Sequence, residues 1–412
     1  MKKLGIYVQV PFCQTKCTYC NFHTGVVSAG RFAPYVKAVC VEIREHKRRY
    51  AAAGVNLPDS LSGAVVDTVY FGGGTPSLLE PVLIENILTA IRATFAGNGD
   101  AAGTRALRDT APALEGGRYR DLKEVTLEAD PETVTREKAE GWVAAGINRV
   151  SFGVQSFVDG ELAAAGRMHR RGDIYRAAPI LRAAGIANIS FDLIAGLPKQ
   201  TGESWRESLG ELVALSPEHV SVYLLEVDEG SRLGRELLAG GERYSAGAVP
   251  ADDLMAEFYE EACAVLRAAG YHHYEISNWG KPGFESKHNL KYWRREAYLG
   301  FGAGAHSFSG TERWANAHDA AGYVAALEAG KLPIEQHEVL TVQGALEEEL
   351  FLGLRQLDGI DVEKIERQYG ISLASRFDPL ALAGLVEREG AVVRLAEGKL
   401  SVSNEVFVGL MR

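Results

Sequence analysis

Six short apolar runs, alternating with amphipathic helical stretches, constrain this chain more than any other feature. The runs are Ile6 to Val10, Val65 to Phe71, Glu124 to Glu128, Asn148 to Phe152, Asn188 to Leu193 and His219 to Leu225. Their length and composition read as strands buried in a sheet. Between them, Tyr35 to Tyr50 sets Val36, Val39, Cys40 and Ile43 on one helical face. Pro81 to Phe95, Arg136 to Ala145, Asp173 to Ala184 and Glu203 to Leu215 repeat that pattern. Six βα units require a parallel sheet with right-handed crossovers, either an open doubly wound sheet or part of a barrel.

Two regions depart from the rhythm. Ala96 to Arg120 is rich in Gly, Ala, Arg and Asp without periodicity, and is expected to be a mobile insertion between a helix and the third strand. From about Gly230 the pattern loosens into a helix (Ala251 to Ala269), a His- and aromatic-rich segment (Tyr271 to His306) and a final helical region. There, Val392 to Leu395 and Leu400 to Val402 flank Glu397-Gly398 like a hairpin, which with the helices before it suggests a winged helix. Between Thr341 and Arg412 twelve acidic residues face eight basic ones, which argues against DNA binding by this part.

The 412 residues can bury a large core and suit two or three domains. A net charge of -10 speaks against nucleic acid or an anionic membrane face as the main partner. Met1-Lys2-Lys3 precedes only a short apolar run interrupted by Gln9, too polar for a secretory segment, and no run approaches the length of a membrane span. We therefore expect a cytoplasmic, reduced protein that meets membranes only at their surface.

The loop after the first run holds the densest chemistry. Cys13, Cys17 and Cys20, three of the five cysteines, fall within eight residues. Pro11 ends the strand, so the thiols lie on the loop at its C-terminal end. Clustered thiols in a reducing compartment indicate zinc or an iron–sulfur cluster. Three ligands are one short of a closed set, and a 4Fe-4S cube held by them would leave one iron open to an external ligand. A Cys3His zinc knuckle completed by His23 competes with that reading, although such knuckles use paired two-residue gaps and no second pair is present. Cys40 and Cys263 stand alone and read as small buried hydrophobes.

In βα architectures the chemistry collects beyond the carboxyl ends of the strands. The second run leads into Gly72-Gly73-Gly74-Thr75, where missing side chains let backbone approach a ligand. The third ends in Glu128-Ala129-Asp130-Pro131, the fourth runs to Gln155 with Arg167 on the next helical stretch, and the fifth carries Asp192. Singly, each carboxylate reads as a helix cap. Together they suit an amino-acid nucleoside, because carboxylates accept from ribose hydroxyls and Arg pairs with a carboxylate.

The three-then-two cysteine spacing, with Tyr19 just before the last thiol, resembles the signature loop of the radical SAM superfamily, in which S-adenosylmethionine (SAM) occupies the open iron. Over nearly the whole chain the rim residues resemble the SAM site of that superfamily's coproporphyrinogen dehydrogenase branch. Taken with the βα rhythm, this implies an α/β fold: six βα units in a partial, three-quarter TIM-like barrel, then a smaller mixed α/β and helical C-terminal domain with a winged-helix-like end. The expected ranges are 1–230 for the core, 231–310 for a barrel extension and 311–412 for the C-terminal domain. The resemblance implies a 4Fe-4S cluster on Cys13, Cys17 and Cys20. It also implies that Tyr7 and Tyr19 lie near SAM, that Gly73, Gly74 and Thr75 touch its methionine end, and that Glu128, Gln155, Arg167 and Asp192 complete its ribose and carboxylate contacts.

Within that branch, the dehydrogenases carry a further cysteine two positions after the third ligand, where this chain has Phe22. They also have a long N-terminal arm that helps close the substrate site, whereas Cys13 stands near the start here. Both differences point away from oxygen-independent coproporphyrinogen III dehydrogenase, which cleaves SAM to a radical that abstracts substrate hydrogen. His288-Asn289-Leu290-Lys291-Tyr292-Trp293 instead resembles the heme motif of the HemW-type heme chaperones, as do Tyr274 to Asn278 before it and Gly300 to Ser307 after it. That resemblance implies heme as bound cargo, passed to a respiratory heme protein at the membrane. His288 is the expected iron ligand, Tyr292 and Trp293 offer flat faces to the porphyrin, and His306 is a second candidate ligand. From the residues alone, His288 reads equally as a hydrogen-bonded core histidine with the aromatics as packing. Two positions depart from the chaperone pattern, Gln9 for a histidine and Asn21 for an aspartate. No catalytic residue is assigned.

Overall fold

Strand follows strand in chain order across the centre of the sheet. The computed structural model describes residues 2–95 and 122–411; the insertion expected at 96–120 lies outside the described residues. Strands β1 (Lys3–Val10), β2 (Val65–Gly73), β3 (Glu124–Ala129), β4 (Arg149–Gln155), β5 (Asn188–Ala195) and β6 (His219–Leu224) pair in that order, all parallel. Right-handed crossovers that always step the same way put every helix on one face. The order therefore matches a β/α barrel, without the reversal that marks a doubly wound sheet.

Register divides each strand into two faces. Ile6, Val8, Val69, Phe71, Val125, Leu127, Val150 and Phe152 belong to the buried apolar core shared with the helices, among them α1 (Phe32–Ala52), α2 (Pro81–Phe95) and α3 (Arg136–Ala145). The alternate residues share the other face across the paired strands: Tyr7 beside Tyr70, Tyr70 beside Thr126, Thr126 beside Arg149, and Asp192 beside Ser221. That inner face is polar and still largely buried.

The sheet continues beyond both outer strands. On the β6 side it adds the antiparallel pair β7 (His272–Glu275) and β8 (Asn278–Gly280), preceded by the expected helix at Asp252–Ala268. On the β1 side it adds β9 (Tyr298–Phe301) in parallel, then β10 (His306–Phe308), β11 (Glu312–Asn316) and β12 (Ile334–Val339) antiparallel. Strands β11 and β12 lie within the range expected for the C-terminal domain and pair with the main sheet. Glu42 of α1 locks this extension in place: its buried carboxylate accepts from Gly302 N at 2.9 Å, Asn316 Nδ2 at 2.7 Å and the Tyr323 hydroxyl.

A separate core of Leu346, Leu350, Phe377 and Val393 defines the C-terminal unit. Its order is helix Val342–Gly353, strand β13 (Ile360–Asp361), helices Val362–Tyr369 and Ala374–Leu382, and a hairpin of β14 (Val386–Glu389) and β15 (Val392–Leu395). Three helices and a three-stranded sheet in this sequence form a winged-helix arrangement. The hairpin differs from the expected one. Val392 to Leu395 pairs backward with Val386–Glu389, and Leu400–Val402 is a 3-10 turn opening the helix Ser403–Leu410. The charged sequence Val-Glu-Arg-Glu hides an exposed strand, while the apolar Leu400 and Val402 mimic one.

Candidate functional site

The cysteine loop leaves β1 at the carboxyl rim and is pinned along its length. At its base, Phe12 and Cys13 pair with Gly25 and Val26. The glycine turn ending β2 grips the same segment, with Gly74 N donating to Val10 O at 2.8 Å and Thr75 N to Phe12 O at 2.7 Å. A Cβ on Gly74 would fall 2.4 Å from Phe12 O, so this close approach requires glycine. Further along, Thr18 N donates to Ala165 O at 3.0 Å and Thr18 O accepts from Leu233 N at 2.8 Å.

Held this way, Cys13, Cys17 and Cys20 remain free, half-buried thiols lining one cavity of about 600 Å³. Burial pushes Cys13 and Cys20 up from the usual thiol range. Among the described residues no three His, Cys, Asp or Glu side chains are grouped to hold one metal ion. This disfavours the zinc knuckle, and His23 is turned away to stack on His318 at 3.8 Å between ring centroids. A 4Fe-4S cube binds its thiolates through different irons, so it needs a wider triangle of sulfurs than a single ion does. Three thiols on one cavity wall fit that donor set.

The same cavity is lined by acidic and basic residues. Glu128 accepts from the Tyr70 hydroxyl at 2.8 Å and Gly73 N at 3.0 Å, and burial pushes its carboxyl up to about 7. Asp192 accepts from Ser151 Oγ at 3.3 Å, and burial raises it as well. Arg167 lies in the turn between two helices, Asp159–Ala164 and Arg171–Ala184, not on a helix as expected. Its guanidinium pairs with Asp130, donates to Gly153 O at 2.9 Å and reaches Cys17 Sγ at 3.4 Å. Thr75 Oγ1 donates to Asp130 at 3.1 Å. Gln155 ends β4 with φ of 65°, a left-handed conformation in a non-glycine residue, at a point where the register with β5 shifts.

Tyr19, Gly73, Gly74, Thr75, Glu128, Gln155, Arg167 and Asp192 thus share a cavity with the three cysteines. Tyr7 stands behind this wall, its hydroxyl donating to Gln9 Oε1 at 2.8 Å and its ring stacked on Tyr70.

Of the heme motif, Asn289 lines this cavity, whereas His288, Tyr292 and Trp293, like His306, are not part of its lining. His288 is fully buried, with Nδ1 2.9 Å from Thr68 Oγ1 and Nε2 2.9 Å from the Tyr292 hydroxyl. Burial, with Lys291 and Arg149 nearby, pushes its pKa down to about 3. With both ring nitrogens engaged, His288 is not presented as an iron ligand in this conformation, because coordination through Nε2 would require breaking the Tyr292 bond. Trp293 packs beneath the Arg355 guanidinium, 4.4 Å from its ring centroid. His306 is exposed at the start of β10.

Several cavity residues escaped the sequence reading. Tyr70 on β2, Arg149 and Ser151 on β4 and Tyr223 on β6 belong to the inner face, where the alternation along each of these strands places them. Arg355, Leu400, Ser401, Ser403 and Asn404 come from the C-terminal unit and line the outer part of the cavity, where no local signal announces them.

Comparison with known proteins agrees with this geometry. Residues 7–212 match the radical SAM superfamily and residues 340–404 the HemN C-terminal domain. The curated heme chaperone HemW of Bacillus subtilis is 34% identical over 97% of each chain. That of Mycobacterium tuberculosis is 33% identical over 98% of this chain and 90% of its own, and that of Escherichia coli 32% over 74% and 69%. Among solved structures, E. coli coproporphyrinogen III oxidase (HemN), described as a radical SAM enzyme, shares the fold with a TM-score of 0.77 at 22% identity, covering 99% of this chain and 90% of that one.

Proposed function

Because the chain belongs to the radical SAM superfamily, and within it to the family of the HemW heme chaperones, we propose that it is a heme-binding chaperone built around a SAM-liganded 4Fe-4S site. In this reading Cys13, Cys17 and Cys20 hold the cluster. When bound, a cluster of this kind supplies an electron source beside SAM. The protein's own groups orient the cofactor. Glu128 and Asp192 accept from ribose hydroxyls, Arg167, kept in place by Asp130, pairs with the methionyl carboxylate, and the Gly73–Thr75 turn offers backbone to the methionine end. Tyr19 and Gln155 close the sides.

The observation that favours a chaperone over a decarboxylase is Phe22. It stands where the resemblance to the dehydrogenases calls for a cysteine, and its side chain is exposed to solvent. The cargo is heme, and the acceptor is a respiratory heme protein met at the membrane surface from the cytoplasm. No described helix is long and apolar enough to cross a membrane.

Anaerobic reconstitution followed by hemin titration and a coproporphyrinogen III assay tests this reading. The reconstituted chain should bind heme and, with excess SAM and reductant, form no protoporphyrinogen. Sustained protoporphyrinogen formation would replace the chaperone with the oxygen-independent coproporphyrinogen III dehydrogenase.

A further inference from the structure

Four cationic side chains line the cavity, and three of them are occupied. Arg167 pairs with Asp130, Arg355 pairs with Glu275 at 3.4 Å and covers the Trp293 ring, and Lys16 Nζ donates to Phe22 O at 3.0 Å. Arg149 is the fourth. It is only 2% exposed, yet among the described residues its guanidinium forms no ion pair and its buried Nε has no hydrogen-bond partner.

Carboxylates stand on the two neighbouring strands without reaching it. On β5, Asp192 accepts from the hydroxyls of Ser151 at 3.3 Å and Ser190 at 3.4 Å. On β3, Glu124 accepts from the backbone N–H groups of Lys287 at 3.0 Å and His288 at 2.9 Å. The imidazoles in its field are neutral: burial and then Arg149 hold His219 well below the usual range, and burial, Lys291 and Arg149 bring His288 down to about 3. A buried guanidinium without a counter-charge is costly, and its planar fork of donors matches a carboxylate. Such a group marks the seat of an anion.

Position narrows the choice of anion. Arg149 opens β4, Gln155 ends it, and both line the cavity, which therefore follows the strand for about 20 Å at roughly 3.3 Å per residue. In the reading above, SAM places its one carboxylate on Arg167 at the cluster end. Arg149 lies at the other end, where the helix Lys287–Trp293 docks on Glu124 and contributes Asn289 to the lining. That helix carries the motif on which the heme reading rests. Heme bears its carboxylates on flexible propionate arms that extend past the ring edge.

We propose that Arg149 anchors a propionate carboxylate of the cargo at the amino-terminal end of the cavity, beside the helix Lys287–Trp293, while SAM occupies the cluster end. This rests on the chaperone reading and specifies how the cargo is held. One long cavity then serves two ligands through two arginines, Arg167 for the amino-acid carboxylate and Arg149 for the tetrapyrrole.

The test is titration of the reconstituted full chain with hemin and with hemin dimethyl ester, whose carboxylates are masked, following the Soret band, with SAM titrations and thermal melts alongside. Wild type should prefer hemin to the ester. Arg149→Met should lose that preference and weaken hemin about tenfold or more, with SAM affinity and the cluster spectrum retained. Its ligand-free Tm should equal or exceed that of wild type, because the substitution removes a buried charge that has no partner. Arg149→Lys should recover part of the hemin affinity. Equal hemin binding by wild type and Arg149→Met, or equal binding of hemin and ester by wild type, would overturn the anchor and leave the chaperone reading standing. A loss confined to SAM would overturn it by moving Arg149 to the cofactor, and a marked fall in ligand-free Tm would overturn it by giving Arg149 a partner within the fold. A wild-type chain that binds no hemin would overturn the chaperone reading together with the anchor.

Discussion

The backbone N–H of Gly73 donates to Oε2 of Glu128 at 3.0 Å, joining the glycine turn of β2 to the carboxylate of β3. Tyr70 holds the other oxygen, and each oxygen keeps a lone pair for a ligand hydroxyl. Because burial sets the Glu128 pKa at about 7, the acceptor is lost as the carboxyl protonates below neutrality. SAM affinity should therefore rise from pH 6 to 8, at most about tenfold per unit on the acid side. Glu128→Gln should flatten the profile. Calorimetric titration at three pH values reads this, and an unchanged slope in the glutamine variant would assign the titration to another group.

Substitution of Cys13, Cys17 or Cys20 by alanine should abolish the 4Fe-4S absorbance after anaerobic reconstitution. Cys40→Ala and Cys263→Ala should retain it, since neither residue lines the cavity. A full cluster spectrum in Cys17→Ala is the outcome that sinks the ligand assignment.

Arg167 serves both the cluster loop and the SAM cavity. Arg167→Ala leaves Asp130 without its partner and removes the donor beside Cys17, so it should lower stability by about 2 kcal/mol as well as weaken SAM roughly tenfold or more. Gln155→Ala and Asp192→Ala should weaken SAM by a similar factor. Thermal melts beside SAM titrations separate the effects, and unaltered SAM affinity in all three variants would reduce these residues to structural pairs.

Glu42 is a second buried carboxyl, pushed up to about 7, chiefly by burial. Its folded pKa lies above the unfolded value, so the native state holds the extra proton between about pH 4.3 and 7. Its contribution to stability is complete below that window and declines as pH rises through 7. Glu42→Gln should make Tm less sensitive to pH between about 5 and 7. Glu42→Ala strands Gly302 N, Asn316 Nδ2 and the Tyr323 hydroxyl, and should cost about 3 kcal/mol. Parallel denaturant melts measure both, and a Glu42→Gln variant with the wild-type pH slope would rule Glu42 out as the source.

Much of the core was legible because parallel strands advertise themselves. α2 and α3 occupy the expected residues, and each of the six central strands lies within a few residues of its apolar run. The inner face was harder to read. Asp67, Thr68 and Tyr70 interrupt an apolar strand without reading as a separate polar stripe, so Tyr70 went unnoticed as a partner of Glu128. At the edges the sequence carries still less. β12 (Ile-Glu-Gln-His-Glu-Val) and β14 are mostly exposed and charged, and only pairing with a neighbour makes them strands. His288 shows the limit for the site, since its motif fits a ligand and a core brace equally until Thr68 arrives from another element.

The parallel pairing of β9 with β1 has a consequence for biosynthesis. The cysteine loop leaves the ribosome well before Tyr298 to Phe301, and the strand it grows from gains its second neighbour only when that later segment has been made. At translation rates of about 5–20 residues per second, that delay is roughly 15–60 s. During that interval the three thiols hang from a strand with one open edge, exposed to oxidants and stray metals. A nascent chain stalled before Tyr298 carries its cysteines on a strand that lacks one of its two neighbours.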